Sequence, residues 1–217
     1  MSDERIVVMT ILSHRGFWTN PSEKNQAVAF NNSFMLGFGT ETDIRDYNGK
    51  LVISHDVADE KCISVSSFFE IYTKTNPYLP LALNIKADGL QEKLRVLLDE
   101  FNIENYFVFD MSVPDGLIYL RNKLKTFTRQ SEYERQPSFY DEAVGIWLDE
   151  FKEHWIDEAT ILQHIKNGKR VCIVSPDLHK REYLKEWAEY KSIEQKFGLD
   201  LMICTDYPQL AKEFFGK

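Results

Sequence analysis

The sequence predicts an α/β chain, a small single-domain (β/α)8 TIM barrel spanning residues 1–217. Three observations predict it. Short apolar runs alternate with amphipathic segments along the whole chain, the pattern of parallel strands joined by crossover helices. The length of 217 residues just exceeds the roughly 200 that such a barrel needs, so some helices are expected to be replaced by loops. Polar residues also close nearly every apolar run: His14, Asp43, Lys86, Asp110, Glu132, Asp149, Ser175 and Asp206. Barrels of this kind carry their chemistry at the carboxyl ends of the strands. A doubly wound open sheet is the competing architecture, but no Gly-rich phosphate fingerprint follows a strand to support it.

The elements follow in order. The apolar run from Ile6 to Leu12 makes a strand over 6–13, and a helix over 25–36 follows it. A strand over 37–44 leads into a hairpin marked by Asn48-Gly49, a strong turn signal between apolar runs. Next come a helix over 65–73 and a strand over 80–85. In the helix over 90–101, Leu90, Leu94, Leu97 and Leu98 recur at helical spacing. A strand over 106–110 precedes a helix over 114–125, opened by Ser112 and Pro114. After a strand over 126–131, the segment 132–143 reads as a loop. Strands over 144–148, 170–174 and 201–204 then alternate with helices over 158–167, 182–197 and 209–215.

Composition narrows the function. A formal charge of −8 lacks the basic footprint of a nucleic-acid binder. It does not forbid a phosphate substrate, because a divalent cation and a few basic groups can invert the field inside a cleft. Cys62, Cys172 and Cys204 show no paired spacing, and the latter two sit in apolar runs as buried free thiols would. No secretory leader is read in Met1-Ser-Asp-Glu-Arg5, no run is long enough to span a bilayer, and the cytoplasm is the expected compartment. The oligomeric state is not legible.

The chemistry concentrates between Glu41 and Asp56. Glu41 and Asp43 are two apart, so on a strand both point to one face. Such a pair of hard oxygen ligands suits Mg²⁺ or Ca²⁺, although spacing alone equally allows two solvated strand-end acids. The position of His55 depends on the turn. A two-residue loop Asn48-Gly49 sets His55 opposite Thr42, facing away from the acids. A three-residue loop Tyr47-Asn48-Gly49, with Gly49 as a left-handed bulge, pairs His55 with Glu41. The three-residue turn is the expectation.

Five motifs occur in order: His14-Arg15-Gly16, Glu41-Thr-Asp43, His55-Asp56, Leu83-Asn84-Ile85-Lys86 and Thr205-Asp206-Tyr207-Pro208. Together they resemble the glycerophosphodiester phosphodiesterase family across nearly the whole chain. Two departures stand out. The family's Pro-Glu-Asn-Thr becomes Ser22-Glu23-Lys24-Asn25-Gln26, which keeps the Asn and moves the Glu by one. Asn84 also stands where the family has a metal-ligating Glu, which bears on metal affinity more than on fold.

The resemblance implies a phosphoric diester hydrolase acting on a glycerophosphodiester or related polyol phosphodiester, with Mg or Ca as cofactor. Glu41, Asp43 and Asn84 are then the metal residues, Asn84 bringing an oxygen but no charge. His14 and His55 are the general acid/base pair, since imidazole titrates near neutral pH. Arg15 is a phosphate clamp, and Lys86, two residues beyond Asn84, a second positive charge for the phosphate. Asp110, Glu132, Glu134 and Asp149 are spare acids near the rim, able to supply the charge that Asn84 lacks. Trp18, Trp147 and Tyr207 are candidates for the pocket wall, whereas Lys180-Arg181 reads as a solvated loop. The alternatives are a lyase-type relative that stops at a cyclic phosphate, and a pseudoenzyme that binds a phosphorylated ligand without turnover.

Overall fold

In the computed structural model, which describes residues 8–216, eight parallel strands wind into a nearly closed barrel. The strands are β1 Thr10–His14, β2 Gly39–Tyr47, β3 Lys50–Ile53, β4 Leu81–Ile85, β5 Tyr106–Phe109, β6 Phe127–Gln130, β7 Gly145–Leu148, β8 Arg170–Val174 and β9 Leu201–Thr205. Their order is β5-β4-β2-β1-β9-β8-β7-β6, with β3 antiparallel on β2. Between the two ends of that path, β5 and β6 meet through the parallel bridge Val108–Thr126 and the bond from Val108 N–H to Lys125 O at 2.8 Å.

Seven helices lie among the strands: α1 Ala27–Met35, α2 Val65–Thr75, α3 Gln91–Glu100, α4 Val113–Arg121, α5 Glu158–Lys166, α6 Leu184–Phe197 and α7 Pro208–Phe215. No helix joins β6 to β7, where the sequence reads as a loop. Local chemistry fixes several starts: the side chains of Ser64, Ser112 and Asp157 accept the N–H groups of Ser67, Asp115 and Thr160, satisfying donors that a helix end leaves orphaned. No helix among the described residues is long and apolar enough to cross a membrane. Residues 1–5 of the leader reading, and Ile6 and Val7 of the expected first strand, lie outside the described residues.

Alternation along the strands builds the core. Leu12, Ala82, Phe107, Phe127, Cys172 and Met202 belong to one buried cluster inside the barrel, where Phe107 stacks on Phe127 at 3.8 Å and Phe109 on Trp147 at 4.0 Å. A Cβ at Gly145 would run into the Phe127 ring, so that stack requires the glycine. The alternate residues face the helices in two further clusters, one around Phe68 and Leu83 and the other around Trp187 and Ile203. Burial on both faces is what a parallel sheet demands of its strands.

The β2–β3 turn departs from expectation. Tyr47 pairs with Lys50, so the loop has two residues rather than three. Asn48 and Gly49 both take positive φ, at 46° and 78°, which is the requirement of a type I′ turn and the reason Asn-Gly favours it. With Ile44 opposite Ile53, the register carried onward sets His55 level with Thr42 and not with Glu41.

Candidate active site

The site is built at the carboxyl end of β1. Beyond His14 the chain turns through two left-handed residues, Arg15 (φ 60°) and Gly16 (φ 83°). A Cβ on Gly16 would lie 2.8 Å from Ala29 of α1, so only glycine permits this close approach. The turn bonds Arg15 N–H to Glu41 O at 2.9 Å and brings Arg15 Nε to 3.0 Å from Asp43 Oδ2.

Register then aligns the oxygens. His14 stands beside Glu41, and Asp43 beside Asn84 on β4. Asn84 Nδ2 donates to Glu41 Oε1 at 3.2 Å. Thr42 donates instead to Asn25 Oδ1 at 2.8 Å, and Asn25 Nδ2 reaches Asp43 Oδ2 at 2.8 Å. Asn25, the amide kept from the family's Pro-Glu-Asn-Thr, thus positions Asp43. Glu23 turns away to cap its own 3-10 turn, accepting the N–H groups of Thr19 and Asn20.

A chain of alternating charges crosses this rim. Arg15 pairs with Asp43, Lys86 Nζ lies 3.6 Å from Asp43 and 3.4 Å from Asp110, and Arg129 Nη1 donates to Asp110 at 2.5 Å. His14 Nδ1 donates to Asp206 Oδ1 at 2.7 Å, leaving Nε2 with no hydrogen bond to a described residue, 3.9 Å from Glu41 Oε2. Asp206 also receives Lys24 Nζ at 3.2 Å. Burial works against the charge on Asp206, but the hydrogen bond and charge of His14, with Lys24, hold its carboxyl below the usual range. Glu41 is pushed the other way, by burial first and by Asp43 second, against the pull of His14, Arg15 and Lys86.

Part of this network lines a cleft of about 210 Å³, with Asp43, Lys86 and Asp206 held against its lining residues. His14, Arg15, Glu41 and Asn84 line it from the ends of β1, β2 and β4, and Asp110, Arg129, Trp147, Asp149 and His179 continue the lining around the rim from β5 to β8. Of the residues expected to wall the pocket, Trp147 does so. Trp18 and Tyr207 line a neighbouring groove that also includes Asp206. His55 is not among the cleft's lining residues; its side chain is 45% exposed, with Nδ1 3.0 Å from Asp56. Two of the four spare acids, Asp110 and Asp149, reach the cleft. Glu132 accepts the N–H groups of Phe151, Lys152 and Glu153, and Glu134 pairs with Arg129.

Arg129, His179 and Lys24 were missed in the sequence. The signal for His179 was its place just after a strand, like that of His14. The reading of Lys180-Arg181 as a solvated loop is corrected, because Arg181 is 17% exposed and its fork bridges Glu150 and Glu186. With His154, those two acids bring ligand atoms within 4.8 Å of one another.

The oxygens of Glu41, Asp43 and Asn84 fit a hard divalent cation. Asp43 Oδ1 and Asn84 Oδ1 are buried without hydrogen-bond partners, and Glu41 is a buried carboxyl lifted by its surroundings. Such orphaned oxygens are costly unless compensated, and Mg²⁺ or Ca²⁺ takes this donor set.

No family model matches the sequence, and no curated protein matches it. Solved structures match throughout. A glycerophosphodiester phosphodiesterase from Agrobacterium tumefaciens superposes with a TM-score of 0.67 at 13% identity, over 95% of this chain and 100% of its own. An Oleispira antarctica phosphodiesterase, in complex with the product sn-glycerol-3-phosphate, gives 0.65 at 15%, over 97% and 98%. A Ca²⁺-dependent phosphatidylinositol-specific phospholipase C from Streptomyces antibioticus gives 0.58 at 9%, over 96% of each chain. At these identities the likeness is one of fold, and the fold of this chain is the barrel of the glycerophosphodiester phosphodiesterase structures.

Proposed function

We propose that the chain is a metal-assisted phosphodiesterase that hydrolyses a glycerophosphodiester or related polyol phosphodiester to an alcohol and a phosphomonoester. One observation carries the reading: His14, Arg15, Glu41 and Asn84 line one cleft, and Asp206, Asp43 and Lys86 are paired directly with its lining residues His14, Arg15 and Asp110. At about 210 Å³ it is smaller than a typical drug-sized site, which suits a phosphate bearing a small alcohol.

Arg15 and Lys86 offset the charge that grows on the phosphoryl oxygens in the transition state. His14 carries its N–H on Asp206, so Nε2 presents a lone pair and accepts a proton from the attacking oxygen. Of the two histidines singled out in the sequence, the geometry favours His14. A Mg²⁺ or Ca²⁺ held by Glu41, Asp43 and Asn84 would add Lewis-acid polarisation of the phosphate. The product complex of the Oleispira antarctica structure and the Ca²⁺ dependence of the Streptomyces antibioticus enzyme agree with this substrate class and cofactor. The three unpaired cysteines suit a reducing compartment, and we place the activity in the cytoplasm.

The test is phosphate-ester release from a panel of glycerophosphodiesters with Mg²⁺, Ca²⁺ or chelator, for wild type and His14→Ala. Turnover that requires both metal and His14 is expected. Turnover that survives His14→Ala overturns the assignment. Phosphorus NMR of the products separates full hydrolysis from a cyclic phosphate.

A further inference from the structure

We propose that His179 and Asp149 form a second imidazole–carboxylate pair of the cleft, with His179 protonating the departing alcohol oxygen. The inference rests on the phosphodiesterase reading and deepens it by assigning the general acid.

The two histidines are built alike. His14 lies at the end of β1, with Nδ1 on Asp206 and Nε2 free of hydrogen bonds to described residues. His179 follows β8, with Nε2 donating to Asp149 Oδ1 at 2.6 Å and Nδ1 making no hydrogen bond to any described residue. Both rings line the same cleft. In the sheet order β1-β9-β8-β7, His179 and Asp149 follow strands two and three places from β1, so the second pair enters the shared cleft from a different part of the rim than His14. Acid and base on opposite sides of phosphorus are what an in-line displacement needs.

The second pair is also firmly held. His179 ends the 3-10 turn Pro176–His179, and Lys180 leaves it in the left-handed region with φ 59°. Two residues on, Arg181 donates to Glu150 O at 3.0 Å and pairs with its carboxylate, so the segments carrying His179 and Asp149 are tied a second time. The Asp149 side chain is 9% exposed. His55 instead pairs with Asp56, whose side chain is 93% exposed, and reaches no wall of the cleft. A packing role alone, with the His179 ring against Phe151 at 4.7 Å, would not require the buried carboxylate on Nε2.

The protons balance. His14 begins neutral and takes a proton from the attacking water as its oxygen bonds to phosphorus. His179 begins as imidazolium, and its Nδ1 proton passes to the alcohol oxygen as the phosphorus–oxygen bond breaks. Exchange with water restores both rings, and the sum is phosphodiester plus water giving alcohol plus phosphomonoester.

The leaving group provides the test. Wild type, His179→Ala, His179→Gln, Asp149→Asn and His55→Ala are compared on an alkyl glycerophosphodiester and on its p-nitrophenyl counterpart, whose phenolate departs without a proton. Binding of glycerol phosphate and the melting temperature report the integrity of the cleft. Loss of the general acid is expected to lower kcat on the alkyl substrate by about 10²–10⁴-fold in both His179 variants, with little change on the p-nitrophenyl ester and intact binding. Equal losses on both substrates, or none, overturn the assignment, as does a leaving-group-dependent loss in His55→Ala instead. A wild type inert on every diester overturns the phosphodiesterase reading itself. An active wild type that needs His14 but not His179 overturns this inference alone.

Discussion

Asp177 and His179 stand two residues apart on one 3-10 turn, Asp177 supporting the partner of His14 while His179 lines the cleft itself. Asp177 Oδ2 accepts the backbone N–H of Asp206 at 2.9 Å, and Asp206 in turn holds His14. Its other oxygen accepts the hydroxyls of Thr205 and Ser175, and Trp187 Nε1 reaches Ser175 at 2.8 Å from α6. Asp177 is therefore a positioning residue for His14. Asp177→Asn keeps the shape and weakens the anchor, with an expected fall in kcat of about 10- to 100-fold, as for other residues that orient a catalytic group. Substrate KM and the melting temperature should move little. An unchanged kcat would mean that Asp206 needs no such support.

Arg181 is expected to be the most sensitive charge outside the cleft. Its fork bridges Glu150 and Glu186, and His154 lies 2.9 Å from Glu150. Burial, then the hydrogen bond and charge of Glu150, push Glu186 up to about 7. Arg181→Met strands two buried acids without their cation, a change that costs about 3–5 kcal/mol. Replacing Glu150 and Glu186 by Gln in the same protein should restore much of the loss. Urea midpoints read both variants, and a single substitution costing under about 1 kcal/mol would place the cluster with surface ion pairs.

The fold was legible because each strand is a short apolar run closed by a polar residue, and that pattern survives any change of neighbour. Arg170–Val174 matches the expected strand residue for residue, and the helix-free connection before β7 falls where the sequence lacks periodicity. Glu41, Asp43, Asn84 and Lys86 were legible because a period of two fixes which side chains share a face. The turn was not. A three-residue hairpin would bring His55 to the acids, but the I′ preference of Asn-Gly holds the loop at two residues. His179 and Arg181 were hidden for another reason: their partners Asp149 and Glu150 lie about thirty residues away, and no local pattern reports a contact between the loops that follow two neighbouring strands.

Glu194 gives stability a pH dependence of definite sign. Burial, then the charge of Asp200, raise its carboxyl to about 7 against the pull of Lys191, and Oε1 has no hydrogen bond. The folded value lies above the unfolded one, so between about pH 4.5 and 7 the native state holds more protons than the unfolded chain. Stability is then fully present below the unfolded pKa and lost as pH rises through the folded one. Glu194→Gln removes that loss and should stabilise the protein by about 1–3 kcal/mol at pH 8, with little effect at pH 4. Denaturant midpoints at the two pH values check it. A gain of equal size at both would trace to packing instead.

If the cleft holds a cation as proposed, Asn84 is expected to set how tightly. It faces Asp43 in register and gives its Nδ2 to Glu41, while its Oδ1 is buried with no partner. Asn84→Glu supplies the charge that the amide lacks. It also sets a third carboxylate beside Glu41 and Asp43, with Arg15, Lys86 and His14 nearby to offset it in part. In metal-free buffer, like charges at this spacing repel, so the variant should melt lower than wild type. Added Ca²⁺ or Mg²⁺ relieves that repulsion through oxygens that suit it, so the variant should recover more stability with metal than wild type does, in proportion to its tighter binding. Calorimetric titration should give a dissociation constant at least tenfold lower, which corresponds to about 1.4 kcal/mol. Unchanged or weaker binding would remove Asn84 from the cation's surroundings and leave Arg15, Lys86 and Arg129 as the groups that meet the phosphate.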